Sequence, residues 1–245
     1  MRLPNPYALR QEVTRESLVF AASQRPGNSP AQEDYFMNFN DECFVLADGS
    51  NRLPHGDIAS RLASETAIWA YKHIRQHRYY WLDKKLFMKR IFRSTNLSVW
   101  QKRRDHGFEE GLETTLTVVM IGAKTYWLGY AGDTYAWLQS GSSIKKLTRD
   151  AAPFETDKHI MLGSKRLGLI PEYVTGSMLE GDVLLLTSAG CGNYLTPSDI
   201  QTGIGLAGNS AADAVSAVES ILQSAEVNGS TENMTAVIIK RVAAS

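Results

Sequence analysis

Residues 114–139 read TTLTVVMIGAKTYWLGYAGDTYAWLQ. Two runs rich in Val, Thr, Ile and aromatic residues are separated by only Ala123-Lys124, and a third run begins directly after Gly132-Asp133. Residues of these types suit a pleated, half-buried surface. A parallel crossover takes roughly a dozen residues or more, so the two-residue connection implies an antiparallel hairpin. The same reading holds for TYAWLQ (134–139) and IKKLT (144–148), which are separated by Ser140–Ser143.

Further strands are expected at SLVFAAS (17–23), YFMNF (35–39), CFVLAD (43–48), DVLLLTS (182–188) and MTAVIIKRV (234–242). Helices lie between them. Ile58, Leu62 and Trp69, each followed by an alanine, predict an amphipathic helix over 57–74 with Asp57 as its cap. A strongly basic helix is expected over 82–104. A short one starts at Pro197 with Asp199, and a long one spans Ser210–Ser224, capped by Asn209 or Ser210. Two groups of strands split by consecutive helices imply an α+β fold with stacked antiparallel sheets and helices outside, in one domain over 1–245 with an ordered core of about 17–242. The stretch 149–181 is polar and weakly patterned, and a connection of that length in a compact domain is usually functional.

Composition bounds the function. The chain has 245 residues, 43% hydrophobic and 21% charged, with 26 Lys and Arg balancing 26 Asp and Glu. Zero net charge gives no general attraction to nucleic acid or membrane. No run reaches the roughly 18 apolar residues of a membrane span, and MRLPNPYALRQEVTRES lacks a signal-peptide core. A cytoplasmic location is therefore expected. Cys43 and Cys191 sit in or beside apolar runs and read as buried small hydrophobes rather than a disulfide framework.

Acidic residues mark the strand ends. Asp34 precedes YFMNF, Asp48 ends CFVLA, Asp133 lies between two strands, and Glu232 stands just before MTAVII. Each alone is an ordinary turn acid. In an antiparallel sheet, however, the end of one strand lies beside the start of the next, so one rim can collect Asp34, Asp48 and Glu232. Clustered carboxylates need a counter-charge, and hard divalent ions with oxygen ligands supply it.

Taken in order, QEDYF (32–36), FVLADGS (44–50), ETTLTVVMI (113–121), GYAGDTYAWL (129–138), KLTRD (146–150), GDVLLLTSAG (181–190) and GSTENMTAVII (229–239) resemble the successive motifs of the PPM family, the type 2C metal-dependent serine/threonine protein phosphatases. The resemblance runs from about Ser17 to Val242. It implies an α-β-β-α sandwich with a two-metal Mn²⁺ or Mg²⁺ site at one edge of the sheets. It implies hydrolysis of phosphoserine or phosphothreonine in proteins by metal-activated water. By that resemblance Asp48 bridges both metals, and Gly49 lends its carbonyl. Glu33 and Asp34 are the acidic pair, Asp133 serves a third, looser ion, and Glu232 stands where the family has Asp. Segment 149–181 takes the place of the variable substrate flap.

The pattern is broken at one position. The family's Ser-Asp-Gly, whose Asp is a metal ligand and part of the catalytic machinery, reads Ser188-Ala189-Gly190 here, and the acid that usually follows four positions on is Asn193. Two readings follow: an enzyme impaired by loss of that Asp, natural or introduced, or a pseudophosphatase that binds without turnover. The loop after Asp48-Gly49 is SNRLPHGDIAS, with Arg52 and His55. The nearest candidate for the phosphate-binding arginine is Arg25, eight residues before Glu33. Finally, eleven Lys and Arg fall between Lys72 and Arg104 against one acid, Asp83, with Tyr79, Tyr80, Trp81, Phe87, Phe92 and Trp100 interleaved. This stretch reads as a solvated outer face or as a docking surface for an acidic partner, with nucleic acid disfavoured by the neutral chain.

Overall fold

The computed structural model describes residues 18–29, 31–77, 83–149 and 161–243. Ten strands form two antiparallel sheets. The first contains β1 (Leu18–Arg25), β10 (Met234–Arg241), β9 (Val183–Thr187), β6 (Tyr135–Ser140) and β7 (Ser143–Lys146), side by side in that order. The second contains β2 (Asp34–Phe39), β3 (Cys43–Asp48), β4 (Leu116–Ile121), β5 (Thr125–Ala131) and β8 (Glu172–Ser177). Both short connections form the expected hairpins, β4 with β5 and β6 with β7.

Strand alternation explains the layering. Along β3, Cys43, Val45 and Ala47 face α1 (Gly56–Ile74) and α2 (Lys84–Lys102), whereas Phe44 and Leu46 face the other sheet. Along β10, Met234, Ala236 and Ile238 face the opposite helices, α4 (Pro197–Gly205) and α5 (Ala211–Val227), while Val237 and Ile239 point inward. These strands are covered on both sides, so their sequences are near-continuous apolar runs rather than alternating ones. The result is the α-β-β-α sandwich with three apolar layers.

Local chemistry sets the helix starts. Thr196 with Asp199, and Ser210 with Asp213, form capping boxes for α4 and α5, and the Asp83 carboxylate accepts from the Leu86 N–H at the start of α2. For α1 the expected cap is corrected: His55, in the left-handed region at φ 69, precedes the helix without a side-chain hydrogen bond, and Asp57 lies in the first turn. A four-residue helix, α3 (Ala189–Gly192), follows β9. Within 149–181 the structure adds β8, an edge strand on β5, and a bridge from Leu162 to Thr114. β8 is half exposed and carries Gly176, so it lacks the apolar run that marks the central strands. Residues 150–160 of that segment, and Tyr79–Trp81 of the basic stretch, lie outside the described residues. Phe87 and Phe92 are core, while Trp100 is half-buried. Among the described residues no helix is long and apolar enough to cross a membrane.

Phe44 is fully buried between the sheets and meets Phe20 edge to face, with ring centroids 5.3 Å apart. Phe44→Ala is expected to lower stability by about 3–5 kcal/mol in urea unfolding. Trp69→Ala, at a site 57% exposed, should cost less than about 1 kcal/mol.

Candidate metal centre

The space between the sheets changes character at one end. Inward-facing positions run from Phe44 and Leu46 to Asp48, from Val119 to Thr117 and Thr115, and from Leu184 and Leu186 to Ser188. They also run from Val237 to Thr235, from Ala136 to Thr134, and from Phe36 to Asp34. Because side chains repeat every second residue, each polar group continues an apolar row. Asp34 and Asp48 are direct register partners across β2 and β3. The three residues Gly132-Asp133-Thr134 carry the chain from the second sheet to the first at this end. Gly132 takes φ 100, and a Cβ there would come within 2.6 Å of the Thr115 side chain.

Hydrogen bonds hold both acids. Thr235 Oγ1 donates to Asp34 Oδ2 at 2.6 Å, and Ser188 exchanges backbone and side-chain bonds with Thr235 at 3.0 Å. Gln24 Nε2 donates to the Asp34 carbonyl and to Thr235 Oγ1, tying the two sheets together. The Ala189 N–H donates to Asp48 Oδ2 at 3.1 Å, and the Asp48 N–H donates to Thr115 Oγ1 at 2.9 Å. Thr114 Oγ1 and the Thr115 N–H both donate to the Asp48 carbonyl. Asp34 is 2% exposed, and its Oδ1 has no partner.

Burial pushes the Asp34 carboxyl up to about 6, opposed by hydrogen bonds from Thr235, Ser188 and Asp48 and helped by the charge of Glu33. Burial likewise holds Asp48 well above the ordinary carboxylate range, and the charges of Asp34 and Asp133 add to the rise. Glu33 is raised by burial and by Asp57. Gly49 and Gly56 pinch the intervening loop shut. A Cβ on Gly49 would lie 2.2 Å from the Gly56 carbonyl oxygen, and the Glu33 carboxylate rests over Gly56.

A cleft of about 560 Å³ opens at this polar end, bordered by Glu33, Asp48, Gly49, Asp133, Ala189, Asn193 and Glu232. Asp34 lies behind it, buried. Sequence reasoning missed Ser29, Ser50, Asn51, Glu113, Thr115, Met161 and Thr231 on the same walls. The paired threonines of ETTLT were the one available signal.

Arg25 requires correction. It shares the outer face of β1 with Val19 and Ala21, and its guanidinium is bound to Glu219 at 2.8 Å and Glu226 at 2.5 Å on α5. Strand alternation therefore turns it away from the cleft. Among the described residues the cation on the cleft wall is Arg52. His55 is exposed and packs on Phe108 outside the cleft.

The donor set suits a hard divalent ion in kind, since every candidate ligand is an oxygen and one buried carboxylate oxygen lacks a partner. It falls short in number. Among the described residues no three His, Cys, Asp or Glu side chains close together on one point, and Ala189 contributes a methyl group to the cleft wall.

The sequence matches no protein-family model and no curated protein sequence. Solved structures do match the fold. The Mycobacterium tuberculosis serine/threonine phosphatase PstP/Ppp is 19% identical with a TM-score of 0.74, over 92% of this chain and 99% of that one. The catalytic domain of PstP in complex with two manganese ions is 21% identical with a TM-score of 0.74, over 92% and 98%. PppA, described as a key regulatory component of T6SS in Pseudomonas aeruginosa, is 19% identical with a TM-score of 0.73, over 91% and 97%. The chain thus has the fold of the PPM serine/threonine phosphatases.

The buried Asp34 makes stability of the metal-free protein depend on pH. Its value is raised from 3.8 to about 6. Below about pH 4 both native and unfolded states hold the proton, and the contribution is fully present. Between these values the unfolded chain releases the proton first, so stability falls as pH rises and levels off above about pH 6. In chelator-treated protein, Asp34→Asn should therefore gain on the parent by up to about 3 kcal/mol between pH 4 and pH 7 in urea unfolding. A constant difference across that range would place the proton elsewhere.

Proposed function

We propose that this chain is a PPM-type protein serine/threonine phosphatase domain whose metal-dependent hydrolysis of phosphoserine and phosphothreonine is impaired at Ala189. The observation that carries this reading is that Glu33, Asp48, Gly49, Asp133 and Glu232 all border one cleft, with Asp34 buried behind them. Asp48, Gly49 and Glu33 would hold one Mn²⁺ or Mg²⁺, and Asp48 with Glu232 the other, with Asp133 toward a third. When bound, such ions lower the pKa of coordinated water and offset phosphoryl charge.

The chain's own residues set how well that arrangement works. Asp48 must be ionised to act as a ligand, and its burial beside Asp34 opposes ionisation. The Ala189 N–H partly compensates by holding one Asp48 oxygen. At Ala189 itself no carboxylate helps, and Glu232, on the cleft wall, is exposed. Arg52 is the cation available to a phosphate. Substrate would be a phosphorylated protein, met in the cytoplasm, with specificity set by residues 149–181.

One observation favours a second reading, a non-catalytic binding module on the same fold. Arg25 is neutralised by Glu219 and Glu226. The candidate phosphate-binding arginine is thus turned away from the cleft.

Phosphate release from a phosphothreonine peptide at millimolar Mn²⁺ separates the two. Loss of a direct ligand should cost more than the roughly 10–100-fold of an outer-sphere change, so Ala189→Asp should raise turnover by about 100-fold or more. If neither form turns over while both remain folded and bind the phosphopeptide, the binding module is the correct reading.

A further inference from the structure

The neutral chain conceals a division of charge between its two helical layers. Helices α1 and α2 carry eight Lys and Arg against two acids, and α2 has six of those cations and no acid. Helices α4 and α5 carry four acids and no Lys or Arg. The layers lie on opposite faces of the sandwich.

The acidic layer is satisfied internally. Glu219 and Glu226 bind Arg25, and Asp199 and Asp213 close the capping boxes of their own helices. The basic layer is not. Lys89, Arg90 and Arg93 are exposed, and among the described residues none of them is ion-paired. Packed cations without partners repel one another, and relief must come from outside the helix.

Beside them runs a groove of about 510 Å³ between the two helices. Leu62, Thr66 and Trp69 form one wall, and Ser94, Leu97 and Ser98 the other. Arg90 and Arg93 stand one turn before Ser94 and Leu97, hence on the same face. Trp69 is 57% exposed, its ring lying against His73 at 3.9 Å rather than in the core. The groove shares no residue with the acidic cleft.

We propose that this groove docks an acidic amphipathic peptide segment of a partner protein. Apolar side chains of the peptide would rest on Leu62, Trp69 and Leu97, and its carboxylates would meet Lys89, Arg90 and Arg93. A helix laid in a groove is the usual way to engage such a surface. A peptide fits this surface better than other anions. The groove lies between two helices, and its walls mix the apolar Leu62, Trp69 and Leu97 with the hydroxyls of Thr66 and Ser98, bonded to each other at 3.3 Å, a pattern that an amphipathic segment matches. Glu65 also borders it, so the carboxylates of the peptide would lie toward Lys89, Arg90 and Arg93 rather than along the α1 wall. A second copy of the chain is disfavoured because its acidic layer is already paired within itself.

The test uses the full chain and a fluorescein-labelled 18-residue helical peptide with Leu at i, i+3, i+4 and i+7 spacing and Glu elsewhere, read by anisotropy. Binding is expected to weaken by about tenfold or more in Arg90→Glu/Arg93→Glu, severalfold in Trp69→Ala, and steeply between 50 and 500 mM NaCl. The same peptide with Lys for Glu should not bind. Unchanged melting temperatures show that the variants fold. The proposal is overturned if the Glu peptide does not bind, or binds the charge-reversed protein equally well. It is also overturned if vesicles with 30% phosphatidylserine or a 20-nucleotide single strand compete the peptide off at lower concentration. Salt-sensitive self-association abolished by the charge reversal would assign the surface to a second copy instead.

Discussion

Two carboxylates set opposite each other in neighbouring strands govern this molecule. Asp34 and Asp48 are register partners at the end of the inter-sheet layer, and both are held where their charged forms are disfavoured. Neither can be moved without shifting its strand, because each continues an apolar row that fills the core. The Thr235 hydroxyl, donating to Asp34, and the Ala189 N–H, donating to Asp48, soften the burial without neutralising it. A bound cation would resolve such a pair; without one, burial and mutual repulsion favour the protonated forms. The sandwich is therefore built to present a charge problem at one end, and the chemistry proposed for the cleft is one solution to it.

Ala189 and Arg25 stand at this end of the sandwich in different ways. At Ala189 the backbone still does its part, with its N–H on Asp48, but the side chain contributes nothing. Arg25 retains its charge yet spends it on α5. The apolar rows stabilise the sandwich independently of this polar end.

The two helical layers divide the remaining work. One is acidic, capped and internally paired, and it braces the first sheet. The other buries Phe87, Met88, Ile91 and Phe92 against the second sheet and turns its cations outward. The dense positive stretch that stands out in the sequence is thus both core and surface, separated by the helical period.

Much was legible in the sequence. Short connections, apolar runs and cap residues determined the hairpins, the paired sheets and the outer helices, because those features depend on neighbours within a few residues. The acids at strand ends were legible as well. The start of α1, strand β8 and the short helix α3 were not. His55 enters α1 through a left-handed turn without a capping bond, and β8 is held by pairing with β5 rather than by its own composition. Only the tertiary structure decided which way Arg25 faces, that Asp34 is buried behind the cleft rather than on its wall, and which polar side chains support Asp48. Each depends on which sheet a strand joins and on the parity of one residue within it. Local sequence sets the strand, but only its neighbours decide what lies on either side.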